Sequence, residues 1–391
     1  MTITSSGNFV PLPVFAEEQS GNNYPRPFAN EMLNSRVPVK VSSKLLEVKW
    51  KIPLDPFFPA NFILTANDNY IAFGSGRWQL LDAGGKSEAA DFLGNSDIIF
   101  DAVHGLFYYA DRFGQIAAVG LSSREKLFTM QVNGLEDVER KFIYRNNGSF
   151  LIADKIVNKN PHNPSPNRFV LLESYAMDEP PLVENGNLTS YKELNQTYFS
   201  AENSAAAANK DTFVCAINNK IIISGTDLKL KSELDGEFTP ITLSLDESGR
   251  IYMTIINSEH KLALWVVSSE GELLVDTQIP VENQLNSIPP IVAYNHSIFL
   301  VFSDRVFSYS EDGNLRWQSF TGGETGGAVV TSDNKLLLSE GEYIMQFNES
   351  GEREFIFQFP GERLTTPPVV NTNNEIIAAT EGSIYLLSPQ K

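Results

Sequence analysis

The sequence predicts an all-β fold, a single β-propeller of eight four-stranded blades with seven as the alternative, on three observations. First, short Asn/Asp/Gly turns recur between β-type runs: Asn67-Asp68-Asn69, His104-Gly105, Asn147-Gly148, Asn218-Asn219, Ser248-Gly249, Asn295-His296, Asp333-Asn334 and Asn373-Asn374. These residues supply the positive φ that tight hairpins need. Second, the units around those turns share one grammar: two apolar runs across the turn, a polar link, a third run, a Gly-containing turn and an aromatic fourth run. Third, the chain ends on a unit that lacks its fourth run, while a segment near the N-terminus has the fourth-run pattern.

Taken in order, residues 1–43 are polar, rich in Pro, Asn and Ser, and aperiodic, and they are expected to form a tail or a strap over the surface. The propeller domain is expected over 44–391, with units near 61–92, 97–132, 141–199, 212–238, 240–280, 289–320, 326–359 and 366–391. The clearest copy reads IVAY, SIFLVF, RVFSYS and LRWQSF over 291–320, and the next reads AVVTS, KLLLS, YIMQFN and EFIFQF. Their dense Phe, Ile, Val and Leu suit strands packed on both faces between neighbouring blades. The third unit carries an insertion at about 156–211, marked by Pro161, Pro164, Pro166, Pro180 and Pro181 and by the run Ala205–Ala208. A long link of this kind suits a binding arm or lid. The fourth unit is short and is expected to lack a good outer strand. In the last unit only Pro389-Gln390-Lys391 follows the third run, and Leu45 to Ile52 matches the missing strand, as comparison with Leu315-Arg316-Trp317-Gln318-Ser319-Phe320 shows. The N-terminal strand is therefore expected to complete the C-terminal blade and remove two open edges.

Composition narrows the function. A net charge of −18 and a pI near 4.7 argue against a nucleic-acid groove, which needs a clustered basic field. They argue equally against docking on an anionic membrane. The single cysteine, Cys215, allows neither an intramolecular disulfide nor a Cys-based zinc cluster, and its place in Phe213-Val214-Cys215-Ala216-Ile217 suits a buried structural thiol. No run approaches the ~20 apolar residues of a membrane helix. Residues 1–16 contain no Lys or Arg and no continuous apolar run, so a cytoplasmic location is expected, or a periplasmic or secreted one if a signal peptide has been removed.

Three segments carry a family resemblance. Thr366-Pro367-Pro368-Val369-Val370, Gly382-Ser383-Ile384-Tyr385-Leu386-Leu387 and Gly313-Asn314-Leu315-Arg316-Trp317 resemble PQQ-like repeats, those of the quinoprotein alcohol dehydrogenases and the BamB-like outer-membrane assembly proteins. The resemblance is strongest over 289–391 and 44–54. It implies the propeller and the habit of binding through loops. The quinoproteins hold their cofactor between a tryptophan and a disulfide of adjacent cysteines, beside calcium. This chain has one cysteine, and of its four tryptophans, Trp50, Trp78, Trp265 and Trp317, the first and last fall on fourth strands away from the channel. A PQQ-dependent dehydrogenase is therefore not expected. The lipidated N-terminal cysteine of the BamB-like proteins has no counterpart here either.

In a propeller the links from second to third strand open on the channel mouth, and the tight first-to-second turns open on the other face. That sorting places Arg77, Asp111, Arg112 and Lys155 on one side of the mouth and Glu259, His260, Asp304, Arg305, Glu340, Glu342 and Glu381 on the other. A rim basic on one side and acidic on the other suits a protein partner or a polar small molecule. No cofactor is expected. Ca²⁺ is the ion these carboxylates would take if three or more converged. His104 and His296 belong to the opposite face and His162 to the insertion, so no three-histidine metal site is expected. Phe57 and Phe58, flanked by proline, are expected either as a contact surface or buried under the tail. The sequence thus points to a ligand- or protein-binding scaffold using the channel-face loops and the third-blade insertion. The alternative is a non-redox enzyme (lyase, cyclase, isomerase or hydrolase) at the channel mouth.

Overall fold

The structure is a computed structural model. It describes residues 36, 40–41, 46–54 and 60–390, except 67–68, 75, 93–97, 102–104, 111–114, 131–137, 147–148, 157–166, 174–182, 185–186, 189–191, 200–203, 210, 218, 226–228, 282–287, 323–324 and 372. Phe57 and Phe58 lie outside these residues, as does most of the 1–43 segment.

Among the described residues the strands form eight sheets, seven of four strands and one of six, antiparallel throughout except for one parallel pairing in the six-stranded sheet. The sixth sheet shows the pattern. Its strands Ile291–Val292, Ile298–Val301, Arg305–Tyr309 and Leu315–Phe320 pair in sequence order. The seventh repeats it with Thr325–Val330, Leu336–Glu340, Tyr343–Phe347 and Arg353–Gln358.

The Asn/Asp/Gly signal has one structural cause. The first-to-second-strand turn is the same in four successive sheets, with Gly249, His296, Asn334 and Asn374 all at positive φ. Each donates its N–H three residues back, to Asp246, Ala293, Thr331 and Asn371 respectively. An acceptor side chain at the turn often adds a second tie. Asp246 Oδ1 takes the N–H groups of Ser248 and Arg250, and Asn371 Oδ1 takes those of Asn373 and Glu375. Asn, Asp and Gly are selected because they accept positive φ and bond the nearby backbone.

Packing follows from the second and third strands. Leu336–Glu340 is buried at every position, and Leu262–Val267 likewise. Leu336, Leu338, Met345 and Phe347 pack with Ile291, Phe299, Val301 and Val306 of the sixth sheet. Leu337 and Ile344, on the other face, pack with Ile376, Ile377 and Leu386 of the eighth. A sheet buried on both faces cannot hold its place without its neighbours, and truncating one such leucine to alanine costs about 2–5 kcal/mol. Fourth strands alternate in exposure, as Leu315–Phe320 and Leu230–Asp235 do, because only one face meets the adjoining sheet.

Leu46–Pro53 pairs antiparallel with Ser383–Pro389, from Leu46 opposite Pro389 to Pro53 opposite Ser383, and forms the outer strand of the eighth sheet. The side chain of its Trp50 then acts like that of Trp317 in the sixth. Trp50 Nε1 donates to Ala83 O at 3.1 Å in the first sheet's last turn, and Trp317 Nε1 to Glu349 O at 3.0 Å in the seventh's. Ser232 to Glu270 O at 2.7 Å and Thr277 to Gly313 O at 3.0 Å make the same latch with hydroxyls. The recurrent fourth-strand residue is thus a donor to the next sheet's third-to-fourth turn.

The stretch 156–211 holds regular structure. Asn167–Glu173 and Lys192–Phe199 pair as third and fourth strands of the third sheet, behind Ser149–Ile156. Ser204–Ala208 is the first strand of the fourth sheet. Between Glu173 and Lys192, the short strands Val183–Glu184 and Asn187–Leu188 form a hairpin. The hairpin reaches back to the second sheet's outer strand Lys126–Met130, Asn187 pairing with Thr129. It covers an edge that would otherwise be open. The fourth sheet does have its outer strand, Leu230–Asp235, contrary to expectation. The run Ala205–Ala208 was hard to read as a strand because alanine carries neither branching nor bulk.

Candidate functional site

Of the candidate rim residues, Glu259, His260, Asp304 and Glu342 fall between second and third strands, Arg77, Arg305 and Glu340 fall at strand ends, and Lys155 falls within a second strand. In the fifth sheet the link Asn257–Lys261 is a tight turn closed by His260 N–H to Asn257 O at 2.9 Å, with His260 at φ 59°. Glu259 and His260 are exposed. Glu259 accepts from Lys261 Nζ at 2.7 Å, and this bond lowers its carboxyl below the ordinary value.

In the sixth sheet Asp304 and Arg305 form the link. The guanidinium donates to both carboxylate oxygens of its neighbour, at 3.0 and 2.8 Å, and that pairing raises the Arg305 pKa. The guanidinium also lies over the ring of Phe320, 5.0 Å from its centre. Phe320 ends the fourth strand directly opposite Arg305 and is 65% exposed. The register of the first sheet repeats this pair, with Arg77 opposite Phe92 and Phe92 55% exposed. Neither phenylalanine stands out in the sequence. The signal lies in the alternation of LRWQSF, where the last residue falls on the outward face at the strand end.

Glu340 differs from the other rim residues. It is 2% exposed, and one carboxylate oxygen accepts from Arg353 at 3.0 Å and from the Gly322 N–H. It ties the sixth-to-seventh link to a fourth strand, which is a structural task. Glu342 and Glu381 flank the remaining links through their backbones: Phe359 N–H donates to Glu342 O at 2.8 Å, and Glu381 N–H donates to Arg363 O at 3.0 Å. Glu381 is exposed.

Arg77 begins the third strand of the first sheet and lines a pocket of about 180 Å³ with Pro53, Leu54, Ala60, Gln79 and Ser87. Lys155 is in the second strand of the third sheet, opposite Glu139. Asp111 and Arg112 lie outside the described residues, as do His104 and His162. His296 falls on the first-to-second turn of the sixth sheet, away from the links. Among the described residues, no three His, Cys, Asp or Glu side chains are placed to hold a metal ion. No described helix is long and apolar enough to cross a membrane.

Cys215 is fully buried, and burial raises its thiol pKa well above the ordinary value. Trp50 and Trp317 lie on fourth strands, as the pattern required.

No family model and no curated protein matches the chain. Solved structures do. BamB from Moraxella catarrhalis aligns over 88% of this chain and 100% of its own, with TM-score 0.61 and 11% identity. Quinohemoprotein alcohol dehydrogenase from Comamonas testosteroni aligns over 94% of this chain and 80% of its own, with TM-score 0.66 and 9% identity. The C-terminal WD40 domain of Sif2 aligns over 89% and 99%, with TM-score 0.58 and 10% identity. At such identities the likeness speaks for architecture alone. Repeating four-stranded sheets, the latch between neighbours and these alignments together establish the fold as a β-propeller.

Proposed function

We propose that the protein is a binding scaffold that holds a protein partner on the face formed by its second-to-third-strand links. The observation that carries this is the Arg305–Phe320 pair, a guanidinium stacked on a phenylalanine that is 65% exposed. Leaving such a ring in water forgoes burial worth about 1.5–3 kcal/mol, which a partner would recover. Arginine and aromatic residues are the side chains that anchor interfaces. Glu259 and Glu381 supply a charged periphery that would set orientation and association rate rather than affinity. The hairpin at 183–188 offers a second contact at the second sheet. The alternative, an enzyme at the mouth, has in the pocket of about 180 Å³ lined by Arg77, Gln79 and Ser87 a place where a polar ligand could bind.

Native mass spectrometry of the protein purified from its own host tests this reading. A second chain should accompany the wild-type protein and be lost from the Arg305→Ala/Phe320→Ala variant. A partner retained equally by the variant removes the proposed anchor, and a bound small molecule on a lone chain favours the enzyme.

A further inference from the structure

Arg36 is isolated in sequence from the propeller, yet it is among the most thoroughly engaged side chains of the molecule. Its backbone forms a parallel bridge with Val330, at the end of the seventh sheet's first strand. Its guanidinium donates to two carbonyls of the sixth sheet, Nε to Val292 O at 2.6 Å and an Nη to Ala293 O at 2.9 Å. The other Nη meets Glu247 of the fifth sheet at 2.5 Å. The guanidinium carbon lies 5.2 Å from the centre of the Tyr294 ring. The side chain is 7% exposed, while Glu247 is 60% exposed.

Val330 and Val292 occupy corresponding places at the ends of first strands, and Glu247 stands two residues past their equivalent, Leu245, so the three lie at or just beyond first-strand ends in three consecutive sheets. First strands stand at the sheet edge opposite the exposed fourth strands, so they face the channel. A single residue reaches three of them at once only near the axis. Arg36 therefore closes on the channel from the first-to-second-turn face, opposite the link face of the proposed partner site. The socket has each part that guanidinium recognition requires: two fixed carbonyl acceptors, a carboxylate, an aromatic face and a free strand edge for an extended backbone. The carbonyls come from a strand end held by the hydrogen bonds of its own turn, including Ala293 N–H to Ser297 O at 2.8 Å, so the socket is preorganised rather than induced.

We propose that this end of the channel is a binding site for an extended, arginine-bearing peptide, filled in cis by the chain's own Arg36. Arg36 then acts as a competitor that any basic peptide from a partner must displace. The acidic character of the chain, −18 overall, favours such a ligand. The proposal concerns a different face from the Arg305–Phe320 anchor, and either can fail alone.

The test uses the full-length Arg36→Ala protein and a fluorescein-labelled peptide of residues 32–41, MLNSRVPVKV, followed by fluorescence anisotropy. Saturable binding is expected. It should weaken by about tenfold or more for the peptide carrying Arg36→Gln, for the Arg36→Ala/Glu247→Gln protein, and for the wild-type protein whose socket is filled. No saturable binding, or equal binding of the Arg and Gln peptides, overturns the proposal. Should Arg36→Ala fail to fold, hydrogen exchange on the wild-type and Glu247→Gln proteins decides. Protection of the segment around residue 36 should fall by about tenfold while that of 336–347 is unchanged, and unaltered protection around residue 36 overturns it.

Discussion

Lys51 and Glu362 meet at 2.5 Å although 311 positions separate them in the chain. Lys51 belongs to the N-terminal strand that completes the eighth sheet, and Glu362 to the link that follows the seventh. Tyr385 Oη and Thr380 Oγ1 also donate to Glu362, at 2.7 and 2.6 Å, and Lys51 lies over the Tyr385 ring. The N-terminal strand is thereby tied to the C-terminal blade by charge as well as by its ladder.

That tie titrates. Burial pushes the Glu362 carboxyl upward, but the bonds from Lys51, Thr380 and Tyr385 outweigh it and hold the group at about 2, below its ordinary 4.5. A carboxyl depressed on folding stabilises the folded state fully above its unfolded value and loses that contribution as pH falls through its folded value. Acid should therefore weaken the strand's attachment between about pH 4.5 and pH 2. Because Lys51 is half exposed, the contribution is about 1 kcal/mol. Urea titrations at pH 7 and pH 3 should show the Glu362→Gln variant less stable than wild type at pH 7 and the gap narrowing at pH 3. A gap of constant size would contradict the assignment.

The tryptophan latches predict where glycine is irreplaceable. Gly85 and Gly351 have φ of 83° and 84°, and a Cβ at either would press on Trp50 or Trp317, at 3.0 and 2.6 Å. Gly351→Ala should cost about 2–3 kcal/mol, from strain at positive φ plus overpacking. Trp317→Ala should cost about 3 kcal/mol, and the two changes together should cost less than their sum. Gly85→Ala and Trp50→Ala should behave alike if the eighth sheet meets the first as the sixth meets the seventh. Chemical denaturation of the two double-mutant cycles checks this, and no coupling at Gly85/Trp50 would speak against closure by the N-terminal strand.

Cys215 lies in the second strand of the fourth sheet, with Ala206 and Ile222 opposite it on either side. Its buried, protonated thiol should react with a thiol reagent at neutral pH only on global unfolding. The modification rate in rising denaturant should track the unfolding transition. Prompt reaction in the native protein would place the fourth sheet among locally opening elements.

Glu340 separates a structural role from a functional one. Glu340→Ala leaves the Gly322 N–H and Arg353 without their acceptor and should cost about 1–3 kcal/mol, whereas Glu340→Gln keeps an acceptor oxygen and should cost less. Partner binding at the rim should be unaffected by Glu340→Gln at a temperature where the variant is folded. Loss of binding without loss of stability would return Glu340 to the list of contact residues.

Much of this architecture was legible in the chain because its determinants are local. Positive φ at His296, Asn334 and Asn374 selects the turn residues, and strands such as Leu336–Glu340, buried on both faces, leave an unbroken apolar run. The match between Leu315–Phe320 and the segment around Trp50 exposed the strand pairing for the same reason, since both answer to one packing environment. Counting strands assigns Glu259, His260 and Asp304 to turns between second and third strands, whereas Lys155 lies within a second strand. Their roles could not be assigned: Glu340 and Glu259 are both acidic residues at strand links, and only the distances to Arg353 and Lys261 tell a buried tie from a solvated pair.

What the tertiary structure alone decided are the relationships between residues far apart in sequence. Phe320 became a candidate anchor through the register that sets it opposite Arg305. Arg36 is joined to the sixth sheet because its guanidinium meets carbonyls 256 and 257 positions away. Turn chemistry and strand alternation are written in the residues that obey them. A contact across the ring depends on where every intervening sheet comes to rest, and no short stretch of sequence records that.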